Sequence, residues 1–410
     1  MPKSVLRLLS GTAAVSAGLL LAPSPAAADT LFPEGFGVCT GDRCPDAYPA
    51  LHDGDEKKGE DDAGSEDETD GEEAWADDSV NVYAGGDFTA DGAAAAEGRV
   101  VVDGDFTVEG DGVYSVGTAE NGSHVGPAPG SDYLVVGGDL TVAEKKRLSA
   151  GEGEAAGSVS YGGELEAEEA EKDSAEFVHA PDAAGEFNVD LASIAKCATD
   201  AATGTVERDE DGRVVFTGNG YSRVQYFTVD AELSQKEAAS LSFERIPADA
   251  TVVVNHLGDS ASFNVAGGDE SWEGLRERLM WNIPMATEVA FRGDGEFFGT
   301  VLVGNAASTS TVSVPGLSGR FYTAGNLVHK GEDAQFHAYP FEGELPGCGM
   351  IPAENTALAE QGHIQLSEEA QERLPKTGAS MPVWIAGGIG AALVGGMALF
   401  FFNRALRQDS

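Results

Sequence analysis

Between residues 80 and 341 apolar and polar positions alternate in short runs, and glycine pairs interrupt the runs at recurring places. Period-two alternation marks strands with one buried face. Four stretches superimpose: 82–90 (VYAGGDFTA), 100–108 (VVVDGDFTV), 134–142 (LVVGGDLTV) and the more degenerate 159–167 (VSYGGELEA). Each reads as a short strand, a glycine-bearing corner and a second short strand. Alternation turns Phe88, Phe106, Leu140 and Leu165 inward with Ala90, Val108, Val142 and Ala167, which leaves Thr89, Thr107 and Thr141 outside. The acidic corner residues Asp87, Asp105, Asp139 and Glu164 stand 18, 34 and 25 positions apart. About 18 residues make one coil of a β-solenoid, so the longer intervals predict coils with inserted loops. Stacked coils would align the threonines in one column, interrupted by Glu166.

The pattern breaks at 184–204. Leu191, Ile194, Ala195 and Ala198 follow helical spacing behind an N-cap at Asp190, with Gly204 as the stop. Strand texture resumes at 205–207 and 213–217, which flank Asp211-Gly212, a hairpin signal. It recurs at 224–229, 250–255, 261–265, 288–291, 296–303, 311–314 and 319–324. Residues 80–346 therefore read as one mainly β domain, with one helix packed alongside.

The ends have a different texture. Lys3 and Arg7 precede an apolar run at 8–21, and Ala26 and Ala28 supply a small-residue cleavage site, so 1–28 reads as a signal peptide. Residues 29–51 read as an irregular N-terminal cap. Residues 52–79 are acidic and almost devoid of apolar side chains, which predicts disorder; calcium binding is a weaker alternative, because the carboxylates lack the spacing of a calcium loop. Residues 347–373 read as a polar stalk. Leu374, Pro375, Lys376, Thr377 and Gly378 are followed by an uncharged apolar run, read as a transmembrane helix over 379–403, and by a basic tail at 404–410. This order resembles the cell-wall sorting signal of Gram-positive surface proteins. The resemblance implies a sortase that cuts between Thr377 and Gly378 and joins Thr377 to peptidoglycan.

Residues 29–377 carry 21 Lys and Arg against 68 Asp and Glu, a net charge of −47. That disfavours nucleic acid and anionic lipid as partners; the membrane is met only through the C-terminal helix before sorting. The four cysteines, Cys39, Cys44, Cys197 and Cys348, suit an exported chain. Of three possible pairings, a local Cys39–Cys44 loop and a Cys197–Cys348 staple are favoured over a metal site. The histidines are scattered, and His329 and His337 read as structural.

The GGD(F/L)T repeats, Asp190 to Ile194, 248–255, 279–284 with Ala286-Thr287, 299–303 and 337–341 together resemble the choice-of-anchor A domain of bacterial surface proteins. The resemblance implies an adhesin. Trp281-Asn-Ile-Pro284 followed by 299–302 is also similar to segments of right-handed β-helix ice-binding proteins, which implies a right-handed solenoid.

Three function classes follow: a surface adhesin with an unknown extracellular ligand, a repetitive-surface or ice-binding-like solenoid, and a polysaccharide-acting β-helix enzyme. The single interrupted threonine column weighs against the second. The lack of a nucleophile elbow, an HExxH motif or a phosphate loop in the mature chain weighs against the third, so no cofactor and no catalytic residue are expected. Lys196 and Lys330 are the lysines to examine for an intramolecular isopeptide crosslink, with surface exposure the favoured reading.

Overall fold

The computed structural model describes residues 31–48 and 75–348, apart from short stretches at 93–94, 111, 120–121, 152, 154–155, 169–171, 174 and 230–237. They belong to one compact unit, and a second unit at 351–410 lies outside the described residues. So do the signal peptide, most of the acidic segment, the stalk beyond 348, the sorting motif, the apolar run and the basic tail. Among the described residues no helix is long and apolar enough to cross a membrane.

The domain is mainly β, with three sheets of ten, eleven and seven strands. Every pairing between named strands is parallel except that of Thr205–Arg208 with Val214–Thr217, which closes antiparallel across Gly212. Successive strands visit the three sheets in turn over Val80–His179 and Leu279–His337, and only the eleven- and ten-stranded sheets between Thr205 and Gly268, so each strand lies beside its counterpart one turn on, in a β-helix-like arrangement. Parallel pairing over such connections places the same corner at the same height in each turn.

The winding is discontinuous. Val80–Ala84 lies in the middle of the ten-stranded sheet, between Arg99–Val102 and Phe321–Thr323. From there the chain steps outward through Asp132–Val136 and Ser158–Tyr161 to Glu176–His179 at one edge. It then crosses by way of the helix Leu191–Cys197 to the opposite edge at Val224–Val229, and winds back to Phe321–Thr323. The first and last turns thus become neighbours, joined by Val82↔Phe321 and Phe88↔Leu327.

Burial explains two textures of strand. The middle of the ten-stranded sheet is covered on both sides, and strands such as Val80–Ala84 and Leu279–Ile283 are buried at every position. Its outer side packs Val101, Val253, Met280 and Leu302 against Leu191, Ile194 and Ala195 of the helix and against Phe32 and Phe36 of the N-terminal segment. The Asp190 side chain accepts from Ser193 N at 3.0 Å, and Asn282 Nδ2 donates to Ala195 O at 2.9 Å, fixing the helix to the sheet. Strands of the eleven-stranded sheet instead alternate, as in Phe88–Asp91 and Phe106–Glu109.

The shared interior is aromatic. Phe263 and Phe291 stack at 4.9 Å, and Phe216 and Phe243 at 4.6 Å, one ring per turn. Trp272 and Trp281 both donate to Phe298 O, at 3.0 and 2.9 Å. The repeated corner glycines answer to close approach: a Cβ on Gly138 would lie 2.8 Å from the Gly104 carbonyl.

Four expectations change. Residues 296–303 form two strands, Phe297–Phe298 and Thr300–Val303, because Gly299 turns the corner at φ +107°. Residues 31–48 sit on the flank of the stack beside Val80 and Tyr322 instead of at an end. The helix stops at Cys197, well before Gly204.

Finally, residues 75–79, counted with the acidic segment, are placed, and Asp77 is buried. Its Oδ1 accepts from Thr40 N and Ser79 N, its Oδ2 accepts from Tyr48 Oη, and it pairs with the buried Arg320. Burial by itself would raise its carboxyl, but the Arg320 guanidinium and the hydrogen bonds from Ser79 together outweigh that and hold it below the usual carboxylate range.

Cys39 is bonded to Cys44, and Cys197 to Cys348. The second bridge joins the crossing helix to the end of the described chain.

Candidate interaction face

The outer side of the eleven-stranded sheet carries neither the helix nor the N-terminal segment. Register assigns its rows. Thr89, Thr107 and Thr141 are direct neighbours, followed by Glu166 on one side. On the other side the row continues into the second half of the chain through Val328, Thr311, Ala290 and Ser262. Seven strands therefore present one row of small, half-buried side chains, about 29 Å long at roughly 4.8 Å per strand. Only the threonine part was visible in the repeats. Nothing local in 262, 290, 311 or 328 marks them as its continuation, because β-strand register between distant segments is a tertiary property.

Beside this row runs the row of corners. The Asn326 Oδ1 accepts from Asp87 N at 2.9 Å, Asp87 Oδ1 from Asp105 N at 3.0 Å, Asp105 Oδ1 from Asp139 N at 2.8 Å, and Asp139 Oδ1 from Glu164 N at 2.7 Å. Each side chain satisfies a backbone donor of the next turn that the corner would otherwise leave unpaired. Asp87, Asp105, Asp139 and Glu164 are all exposed. On the far side of the small-residue row stand Arg292, Lys330, Asp91 and Glu109. Lys330 Nζ lies 2.9 Å from Asp91 Oδ2. The carboxylate raises the lysine above its ordinary range. Crosslinking needs a neutral amine in a dry setting, so this exposed ion pair is the wrong chemistry for an isopeptide bond. Lys196 is exposed on the helix.

The two noted histidines are both interior. His329 faces the core, where its Nδ1 meets Tyr114 Oη at 3.2 Å and its Nε2 has no partner among the described residues. Burial lowers its pKa to about 3. His337 is covered on the outer side of the seven-stranded sheet; its Nδ1 meets both Glu296 Oε1 at 3.0 Å and Ser318 Oγ at 3.1 Å. Burial would lower its pKa, but Glu296 and Glu97 outweigh that and raise it. With carboxylate and hydroxyl on the same ring nitrogen, the imidazole cannot relay a proton from one to the other through its two nitrogens.

A family model described as "Putative Ice-binding-like adhesive domain" matches residues 80–335. The chain belongs to this family. The match spans both halves of the discontinuous winding and ends in the strand Gln335–His337, so the adhesive domain coincides with the three-sheet unit. No curated protein and no solved structure matches the chain.

Proposed function

We propose that this chain is a secreted adhesin-like display protein whose adhesive domain is a right-handed β-solenoid of the choice-of-anchor A kind, contacting its extracellular ligand through the outer face of the eleven-stranded sheet. The observation that carries this reading is the continuous row from Ser262 to Thr141, which lies on a face without the helix and the N-terminal segment that cover the middle of the ten-stranded sheet. Solenoid flanks serve as extended binding surfaces for this geometric reason. Family membership supports an adhesive surface role.

Signal peptidase would release the leader after Ala28, and a sortase would join Thr377 to the peptidoglycan of a Gram-positive wall. The described chain ends at Cys348, bonded to Cys197 of the helix that covers the middle of the ten-stranded sheet. In this reading the protein is a substrate of sortase and no enzyme itself.

Two substitutions test the reading. Thr107→Arg or Thr311→Arg adds bulk and charge to the middle of the row without touching the core, and is expected to leave melting unchanged while reducing attachment of displaying cells across a panel of matrix, cell and glycan surfaces. Unchanged attachment by both variants would remove the face from the reading. Thr377→Ala is expected to release the protein to detergent extraction; continued covalent wall attachment would refute sorting at this motif.

A second reading, ice binding, is favoured by the seven-strand row of small side chains. The strongly hydrated carboxylates of Asp87, Asp105 and Asp139 beside it weigh against an ordered ice match. Ice-growth inhibition by the purified chain, abolished by Thr107→Arg, would reverse the order of the two.

A further inference from the structure

The join between the first and last turns has a titratable centre. Val82 to Ala84 pair with Phe321 to Thr323 in the ten-stranded sheet, and Phe88 to Asp91 with Leu327 to Lys330 in the eleven-stranded sheet. In the seven-stranded sheet only Ala95 and Ala96 pair, with Gln335 and Phe336. This is the shortest of the three ladders, and side chains extend it. Glu97 N donates to Phe336 O at 2.9 Å, and Glu97 Oε2 accepts from Ala338 N at 3.0 Å, so one buried residue of the first half grips the chain on both sides of His337. The same oxygen accepts from Ser123 N and Ser123 Oγ at 2.9 and 2.8 Å.

Glu97 Oε1, by contrast, has no hydrogen-bond partner among the described residues. It lies beside the imidazole: a Cβ on Gly122 would come within 2.5 Å of this oxygen and 2.4 Å of His337 Cδ2. At the other edge of the ring, His337 Nδ1 is 3.0 Å from Glu296 Oε1, and Gly316 leaves room for that carboxylate, since a Cβ there would lie 2.2 Å from the same oxygen. The ring therefore stands between a carboxylate of the first half and one of the second. The other charged groups described nearby are engaged elsewhere or face away. Arg276 lies 4.1 Å over the Tyr339 ring and pairs with Glu273 and Glu277 at 3.4 and 3.5 Å, and His124, next to Ser123, is exposed. Tyr339 donates to Gly122 O at 3.1 Å, and burial pushes its hydroxyl further from ionising.

We propose that His337 is a pH-operated clasp on this join: as the imidazolium it holds Glu97 and Glu296 together across the two halves, and as the neutral imidazole it leaves both carboxylates without their cation. Burial disfavours the imidazolium, but Glu296 and Glu97 outweigh that, so the folded chain keeps this proton to higher pH than the unfolded chain does. The clasp is full below about pH 6.5 and is lost as pH rises through the folded value. It lies on the outer side of the seven-stranded sheet and operates whatever the eleven-stranded sheet contacts.

Hydrogen exchange of the purified full-length chain tests this between pH 6.5 and 8.5, where His329 is neutral in the folded chain. Protection factors divide out the intrinsic pH dependence of exchange. Protection of the Glu97, Ser123 and Ala338 amides should fall by about threefold or more over this range. The amides of Leu140 and Val252, which bond to Glu164 O and Arg278 O within one half, should keep theirs. His337→Gln should lower protection at pH 6.5 and abolish the difference between the two pH values. Adding Glu97→Gln to it should recover protection without recovering its pH dependence. Glu296→Gln keeps an oxygen for Ser318 Oγ and removes one of the two charges at the ring, so it should shrink the pH effect even where the histidine variant folds poorly.

Protection that is flat with pH in the parent, or a pH effect that survives His337→Gln or is undiminished in Glu296→Gln, would overturn the clasp. A fall shared equally by Leu140 and Val252 would assign the effect to the whole domain and overturn it as well.

Discussion

His329 offers the sharpest test of how the core is built. The ring is fully buried among Phe88, Tyr114 and Phe336, and its one described partner is Tyr114 Oη. Protonation in that site is opposed by burial, which takes the pKa from 6.5 down to about 3. In the unfolded chain the same ring titrates near 6.5. Below that pH the unfolded state binds a proton that the folded state refuses, so stability is full above about 6.5 and falls as pH drops toward 3. Each pH unit costs about 1.4 kcal/mol, which integrates to about 2.7 kcal/mol at pH 4.5.

The perturbation is His329→Phe combined with Tyr114→Phe, because removing the histidine alone would strand the Tyr114 hydroxyl, at a cost of about 1–3 kcal/mol. Urea unfolding followed by tryptophan fluorescence at pH 7.5 and 4.5 gives both stabilities. The double variant should match the parent within about 1 kcal/mol at pH 7.5 and exceed its pH 4.5 stability by about 2–3 kcal/mol relative to that baseline. The exposed carboxylates titrate alike in both proteins and cancel in the difference. His337, raised above 6.5 when folded, stabilises below that value and loses its contribution as pH rises through its folded pKa, but both proteins carry it and it cancels in the difference. A pH-dependent difference below about 0.5 kcal/mol would refute a neutral, desolvated His329 as the source of acid sensitivity.

Arg320→Met should lower stability by about 3–5 kcal/mol in chemical denaturation, because it leaves Asp77 charged and buried, and the loss should shrink once pH falls below the range where Asp77 ionises. An Asp77→Asn, Arg320→Met pair that is no less stable than Arg320→Met alone would agree with this, and a less stable one would contradict it. Asp105→Asn with Asp139→Asn should raise the melting temperature at low salt by relieving repulsion along the ladder, and the gain should vanish near 1 M salt, where screening extends only about 3 Å.

Local patterns revealed much of the fold. Alternation placed Phe88, Phe106 and Leu140 inside and the three threonines outside, and the 18, 34 and 25 spacings of the acidic corners are the separations spanned by the ladder hydrogen bonds. These features repeat, so each instance corrects the reading of the others. Helical spacing and Asp190 likewise marked the crossing helix.

What local pattern could not reveal was the neighbour of the first turn. Val82 pairs with Phe321, 239 positions away, and no composition signal distinguishes that join from an ordinary step between consecutive turns. The extension of the threonine row into Val328, Thr311, Ala290 and Ser262 was hidden for the same reason. The short strands of the third sheet, such as Ala95–Ala96, are too brief for alternation to register. Asp77 was masked by its setting, an acidic run in which one carboxylate is buried and the rest give no hint of it.

The discontinuous winding and the Cys197–Cys348 bridge together decide how the domain would bear load. If the chain is anchored at the wall as proposed and held at its face, it would be pulled through its C-terminal end, so tension would enter at Cys348. The bridge passes it directly to Cys197, and the turns between them, from Val214–Thr217 through Gln335–His337, lie inside a covalently closed loop. Those turns can lose their packing but cannot be drawn out. The loop spans 151 positions, and at about 3.3–3.6 Å per residue it withholds roughly 500 Å of extension. Single-molecule pulling between the chain ends should therefore give a contour length about 500 Å shorter for the oxidised protein than for the reduced protein or for Cys197→Ser with Cys348→Ser. Equal lengths would refute the shielded loop. With the bridge absent, Phe321–Thr323 would be free to peel from Val80–Ala84, and the two halves of the stack would separate along the join that makes the small-residue row continuous.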